Sequence, residues 1–135
     1  MKKNGVLNSE LSRVIAQMGH TDKLVICDSG LPIPRDAEVI DLALSTNLPR
    51  FIETLKVILE ELQIEDAIVA EEMLEVSCSV YDEVTRLLPR INIQKISHED
   101  FKKLTRNPEG NIAFVRTGEA TPYANIILIS GVTFN

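Results

Sequence analysis

The sequence predicts an α/β fold: a single domain over residues 1–135, with a mostly parallel sheet flanked by helices on both faces. Three observations lead there. Apolar patterns at helical spacing alternate with short apolar runs of strand length, the order that crossover connections produce. The first such run, Lys23–Cys27, is almost continuously apolar, as a strand covered on both faces should be. The chain has 135 residues, 44% hydrophobic and 25% charged, which suits one core, and it contains no linker, repeat or low-complexity stretch.

Asn8 or Ser9 can cap a first helix, in which Leu11, Val14, Ile15 and Met18 recur at helical spacing. Gly19 suits the C′ position behind it. Lys23–Cys27 then forms a buried strand, followed by a loop that Gly30, Pro32 and Pro34 keep irregular. Residues 39–42 make a second short strand. A long helix after Pro49 places Phe51, Ile52, Leu55, Ile58, Leu59 and Leu62 on one face. Residues 67–70 form a third strand, and residues 79–88 a helix that stops before Pro89. Residues 91–96 alternate apolar and polar side chains as a strand does, and Ser97 caps a short helix. Residues 112–117 and 123–130 are the last two strands, joined by a loop holding Gly118 and Pro122.

Composition excludes several classes of function. A net charge of -6, with the basic residues scattered, argues against nucleic acid and against anionic membrane surfaces. No stretch is apolar and long enough to span a bilayer, and the basic start at Lys2 and Lys3 lacks the apolar run of a signal peptide. Cys27 and Cys78 show neither CxxC nor metal spacing, which fits a reducing, cytoplasmic setting. There is no GxGxxG or Walker loop for phosphates, no HExxH for a metal, and no GxSxG around Ser29. Glu71, Glu72 and Glu75 read as a solvated run.

What remains is proton chemistry on a small polar molecule. His20, one of two histidines, follows a helix end, whose negative dipole favours the imidazolium form and so a proton donor. His98 follows Ser97 at a helix start, where the neutral form is favoured, and Lys102 lies one turn on along the same face. Such a pair offers one donor and one acceptor. Asp28 closes an apolar strand at its carboxyl end, the edge where open α/β sheets bind ligands, and a carboxylate there can accept from ligand hydroxyls. If residues 123–125 are extended, Tyr123 and Asn125 project together while Ala124 faces away. An uncharged phenol and amide side by side suit a sugar.

Taken in order, these motifs resemble the D-ribose pyranase family, within the wider group that includes the L-fucose mutarotases. The likeness spans nearly the whole chain: Met1 to Asn8, Gly19-His20-Thr21-Asp22, Asp28-Ser29-Gly30-Leu31-Pro32, Ser97 to Lys102, Arg116-Thr117-Gly118-Glu119, and Pro122-Tyr123-Ala124-Asn125. Cys27, where the family pattern leads one to expect alanine, and a longer loop at residues 107–110 are the departures, and neither touches a motif. The resemblance implies a cytoplasmic isomerase that needs no cofactor and no metal and interconverts the pyranose and furanose forms of D-ribose. It implies His20 as proton donor, with Asp28, His98, Tyr123, Ala124 and Asn125 binding substrate. It also implies a homo-oligomer, a decamer of two stacked pentamers with sites between subunits.

Ring opening needs a proton delivered to the ring oxygen and one taken from the anomeric hydroxyl, here assigned to His20 and to His98 or a water. One distance stands in the way. A regular strand at about 3.3 Å per residue separates His20 from Asp28 by roughly 17 Å or more, too far for a pentose to bridge. Either the chain bends sharply before the strand, or two subunits share one site. The competing readings are a mutarotase for another sugar such as L-fucose, a non-catalytic ribose-binding accessory protein, and a generic nucleotide-binding module, the last weakened by the missing glycine-rich loop.

Overall fold

The computed structural model describes residues 1–135 as one six-stranded sheet with helices on both faces, as the alternating pattern predicts. The strands are β1 (Lys23–Cys27), β2 (Glu38–Asp41), β3 (Ile64–Ala70), β4 (Asn92–Ile96), β5 (Ile112–Arg116) and β6 (Ile126–Ser130). The helices are α1 (Ser9–Gln17), α2 (Phe51–Leu59), α3 (Glu72–Val76), α4 (Cys78–Leu87) and α5 (His98–Arg106). In space the strands run β2-β5-β1-β6-β3-β4. The pairs β2–β5, β5–β1 and β3–β4 are parallel, while β6 lies antiparallel between β1 and β3.

Period-two alternation assigns each strand's side chains to one of two cores. Leu24 and Ile26, Ala67 and Val69, Ala113 and Val115, and Ile126 and Leu128 enter a 21-residue core with side chains of α1, α2, α3 and α4. Val25 and Cys27, Ile68, Phe114 and Ile127 face the other way, into a seven-residue core covered by Phe101 of α5 and by Leu31. The sheet is therefore covered heavily on one face and thinly on the other. The edge strands β2 and β4 keep exposed polar residues such as Glu38, Asp41 and Lys95, which discourages further strand pairing.

Local details differ from expectation for identifiable reasons. Asn8 is the α1 cap, its Oδ1 accepting from the Leu11 N–H at 2.9 Å. Gly19 does occupy the position after the Met18 cap, but its φ is not positive. Thr21 takes the left-handed conformation instead (φ 70°), while Asp22 accepts from the Gly19 N–H. The third strand begins at Ile64, earlier than its apolar run, because Ile64 is buried and Asp66 pairs with both Asn92 and Ile129. The acidic run after β3 contains the unexpected short helix α3, anchored by fully buried Met73. The last strand starts at Ile126, so residues 123–125 are not extended: Tyr123 has φ 63°.

The topology gathers function at one edge. The carboxyl ends of the parallel strands and the amino end of antiparallel β6 meet there, bringing Asp28, the 117–125 segment and the start of α5 together. Phe101 is the fully buried anchor of α5 in the thin core. Phe101→Ala should therefore cost about 3–5 kcal/mol, read as a lower urea midpoint at unchanged m-value. A loss below about 1 kcal/mol would mean that α5 is held by something else.

Candidate functional site

The site begins with the covalent neighbours of β1. Beyond Cys27 the chain turns, and the Asp28 Oδ1 accepts from the Gly30 and Leu31 N–H groups, both at 2.9 Å. This turn-forming role, the ordinary one for an aspartate before Ser-Gly, is thus real and uses one carboxylate oxygen. The Asp28 N–H donates to Asn125 Oδ1 at 2.9 Å, and Asn125 Nδ2 lies 3.4 Å from Asp28 Oδ2. Burial pushes the Asp28 carboxyl above the usual aspartate range, with the two backbone N–H groups, Asn125 and nearby His98 pulling the other way.

The partner segment is held by a second set of bonds. Both the N–H and the hydroxyl of Thr117 donate to the Cys27 carbonyl, at 3.0 and 2.7 Å. Ser29 returns its N–H and hydroxyl to the Glu119 carbonyl, at 3.0 and 3.1 Å. Between them Gly118 passes so close to the 45–48 loop that a Cβ would sit 2.3 Å from the Ser45 carbonyl oxygen. Buried Glu119 then accepts from Arg50 (Nη2, 2.8 Å), the Phe51 N–H (3.0 Å) and the Thr121 hydroxyl (2.8 Å). Burial alone would raise its carboxyl, yet Arg50, Phe51 and Thr121 together hold it down at about 2.

His98 opens α5, where Ser97 Oγ accepts from the Asp100 N–H and the Glu72 carboxylate takes the His98 N–H. Its ring lies between Phe101, stacked at 6.4 Å, and Tyr123, edge-on at 5.0 Å. His98 Nδ1 is buried with no hydrogen-bond partner. Lys102 is turned to Glu99, 2.7 Å away.

Asp28, His98, Tyr123 and Asn125 all line one open cavity of about 370 Å³, together with residues 29–32 and 119–122. That volume is in the range of small-molecule sites. Tyr123 and Asn125 do reach the same space, but through a turn and not along a strand. Ala124 is fully buried in the larger core and does not line the cavity, so its side chain faces away from any ligand there.

His20 is elsewhere. It precedes β1 at the opposite edge of the sheet, about half exposed, and is absent from the cavity lining. The chain does not bend back: β1 is a regular strand between His20 and Asp28. Nor is His20 held by the end of α1, which stops at Gln17 and leaves through an extended Met18. Its partner is Glu65, with Nε2 2.8 Å from Oε2. Sequence reading missed Glu65 and Arg50, because exposed charges in a strand or loop carry no pattern. It put Glu72 in a solvated run, whereas Glu72 opens α3 half-buried and binds the His98 N–H. Glu119 could have been noticed inside the Arg116-Thr117-Gly118-Glu119 motif. No three His, Cys, Asp or Glu side chains gather as a metal site would require, and no helix is long and apolar enough to cross a membrane.

Comparison with known proteins gives a consistent result. The model of the RbsD / FucU transport protein family matches residues 1–133. A D-ribose pyranase of Coprothermobacter proteolyticus is 55% identical over 134 residues, covering 99% of this chain and all of that protein. The solved structure of Bacillus subtilis RbsD complexed with D-ribose superposes with a TM-score of 0.92 at 45% identity, over 99% of this chain and 100% of the other. The fucose mutarotase of Streptococcus pneumoniae, solved with L-fucose, covers 95% of each chain with a TM-score of 0.76 at 24% identity and shares the fold.

Glu119 is a stability and positioning element whose charge matters. Its carboxyl lies at about 2 against an ordinary value of 4.5. Folding therefore favours the ionised form: that stabilisation is complete above about pH 4.5 and is lost as the pH falls toward 2. Glu119→Gln should cost about 1–3 kcal/mol at neutral pH and flatten the acid limb of stability against pH. A variant whose acid limb matches the parent's would remove Glu119 from this role.

Proposed function

The chain belongs to the RbsD / FucU transport protein family, and from that premise we propose that it is an isomerase that interconverts the pyranose and furanose forms of D-ribose. The observation that carries this reading is full-length identity of 55% to a D-ribose pyranase, supported by a fold shared at a TM-score of 0.92 with a protein solved with D-ribose. The cavity agrees in chemistry. A carboxylate, an amide, a phenol and an imidazole surround a space suited to a hydroxyl-rich ligand.

Opening the ring delivers a proton to the ring oxygen and removes one from the anomeric hydroxyl, giving the open aldehyde. Re-closure through a different hydroxyl gives the other ring size. His20 is the proton donor. Asp28, His98, Tyr123 and Asn125 hold the sugar, and Ala124, whose side chain is in the core, can contribute through its backbone alone. Glu65 accepts from His20 Nε2, which leaves Nδ1 of that ring for the substrate.

Because His20 and Asp28 occupy opposite ends of β1, a complete site combines His20 of one copy with the cavity of a neighbour. This supports a homo-oligomer, in the family's decameric arrangement, as the working form. The free thiols of Cys27 and Cys78 fit a reducing cytoplasm.

L-fucose is the less favoured substrate, since the fucose mutarotase shares the fold at only 24% identity. A non-catalytic sugar-binding protein would bind D-ribose without accelerating its ring exchange. Saturation-transfer NMR on D-ribose with catalytic amounts of protein decides: faster pyranose–furanose exchange is expected, and an unchanged rate would refute the reading. His20→Ala should lower the rate by about 10²–10⁴-fold with the fold intact. Co-expressing His20→Ala with Asp28→Ala chains should restore up to about a quarter of parental activity, because mixed assemblies regenerate that share of complete sites across a head-to-tail interface. No recovery on mixing would place both residues in one subunit's site.

A further inference from the structure

We propose that Asp28, through its Oδ2 atom, is the group that takes the anomeric proton of the sugar, so that His20 and Asp28 form the proton-transfer pair. The inference rests on the isomerase reading above and assigns the second proton, which that reading leaves without a carrier.

The two oxygens of Asp28 are not equivalent. Oδ1 is committed to the Gly30 and Leu31 N–H groups at 2.9 Å each. Oδ2 has a single long contact, 3.4 Å to Asn125 Nδ2. Asn125 is itself buried and fixed, its Oδ1 accepting from the Asp28 N–H at 2.9 Å. The carboxylate is therefore held rigidly by one oxygen while the other keeps unused lone pairs in a group that lines the cavity. Burial, which favours the neutral acid, helps such a group hold a proton transiently.

His98, the obvious alternative, is badly placed for the task. A histidine that accepts a proton at one ring nitrogen needs an acceptor for the N–H at the other, as carboxylates provide in catalytic triads. His98 Nδ1 is buried without any partner, and Phe101 and Tyr123 flank the ring. A proton there would be a buried, unpaired donor. The ring is better satisfied with Nδ1 bare and its hydrogen on Nε2, which makes His98 a donor to a sugar oxygen. His20, by contrast, has Glu65 behind Nε2.

The step balances. Asp28 Oδ2 takes the proton of the anomeric O–H, and that oxygen's electron pair forms the aldehyde C=O. The bond between the anomeric carbon and the ring oxygen breaks, and the ring oxygen takes a proton from His20. For re-closure, His20 removes the proton of the hydroxyl that attacks the carbonyl carbon, and Asp28 returns its proton to the carbonyl oxygen. Both groups end as they began.

Asp28→Asn in the assembled protein is the test, because an Asn Oδ1 can keep both loop N–H bonds. Ring exchange of D-ribose at saturating sugar should fall by about 10²–10⁴-fold, while sugar binding, followed by calorimetry, weakens by less than about tenfold. A rate at saturation within about threefold of the parent would overturn the assignment. If that variant does not fold, Asp28→Ser decides. Its exchange should be slow and rise with added formate, and a rate that stays flat across the formate series would count against Asp28. A parent protein that fails to accelerate exchange at all sinks the isomerase reading itself, a result visible before any variant is made.

Discussion

The rest of the site depends on the seam between the loop after β1 and the segment before β6. Neither segment is regular structure, so their backbone groups need partners from each other. Thr117 closes on Cys27, Ser29 closes on Glu119, and the Asn125 amide clamps both the backbone and the carboxylate of Asp28. Glu119 then fastens the seam to the start of α2 through Arg50 and the Phe51 N–H. A buried carboxylate is tolerable because each of its oxygens meets charged or backbone donors. The rigidity of the cavity wall follows from that satisfaction.

Proton chemistry without a covalent intermediate asks little of the protein beyond placement. Two groups must sit at opposite sides of a small sugar, and the hydroxyls must be held while the open chain rotates. A single copy of this chain places His20 and Asp28, the proposed pair, at opposite ends of a five-residue strand. On the proposed reading, assembly would be part of the chemistry, with a neighbouring copy supplying what the strand separates. The His20–Glu65 pair is half-exposed and lies outside the cavity lining.

Thr21, Asn47 and Tyr123 take left-handed backbone conformations, and of these Tyr123 lies at the cavity. Tyr123 adopts φ 63°, costly for an aromatic residue. The return is a ring edge against His98 and a chain path that buries Ala124 in the core while Asn125 reaches Asp28. An extended path through the same residues would not turn the backbone between core and cavity in so few steps.

Much of the architecture was readable from local pattern alone. Helix-spaced stripes alternating with short apolar runs determined the α/β class and most element positions, since a strand covered on both faces is written as a continuous apolar run. The order of the polar motifs pointed to His20, Asp28, His98, Tyr123, Ala124 and Asn125, and the structure gathers Asp28, His98, Tyr123 and Asn125 around one cavity. Pairing was not readable: the antiparallel insertion of β6 between β1 and β3, the early start of β3 and the helix α3 all depend on contacts remote in sequence. The same holds for Glu65, Arg50 and Glu119, whose meaning comes from partners 45 to 69 residues away. Sequence by itself determined what each segment buries; tertiary structure alone decided which charges meet, because a charged side chain takes its role from the partner that desolvates or pairs it.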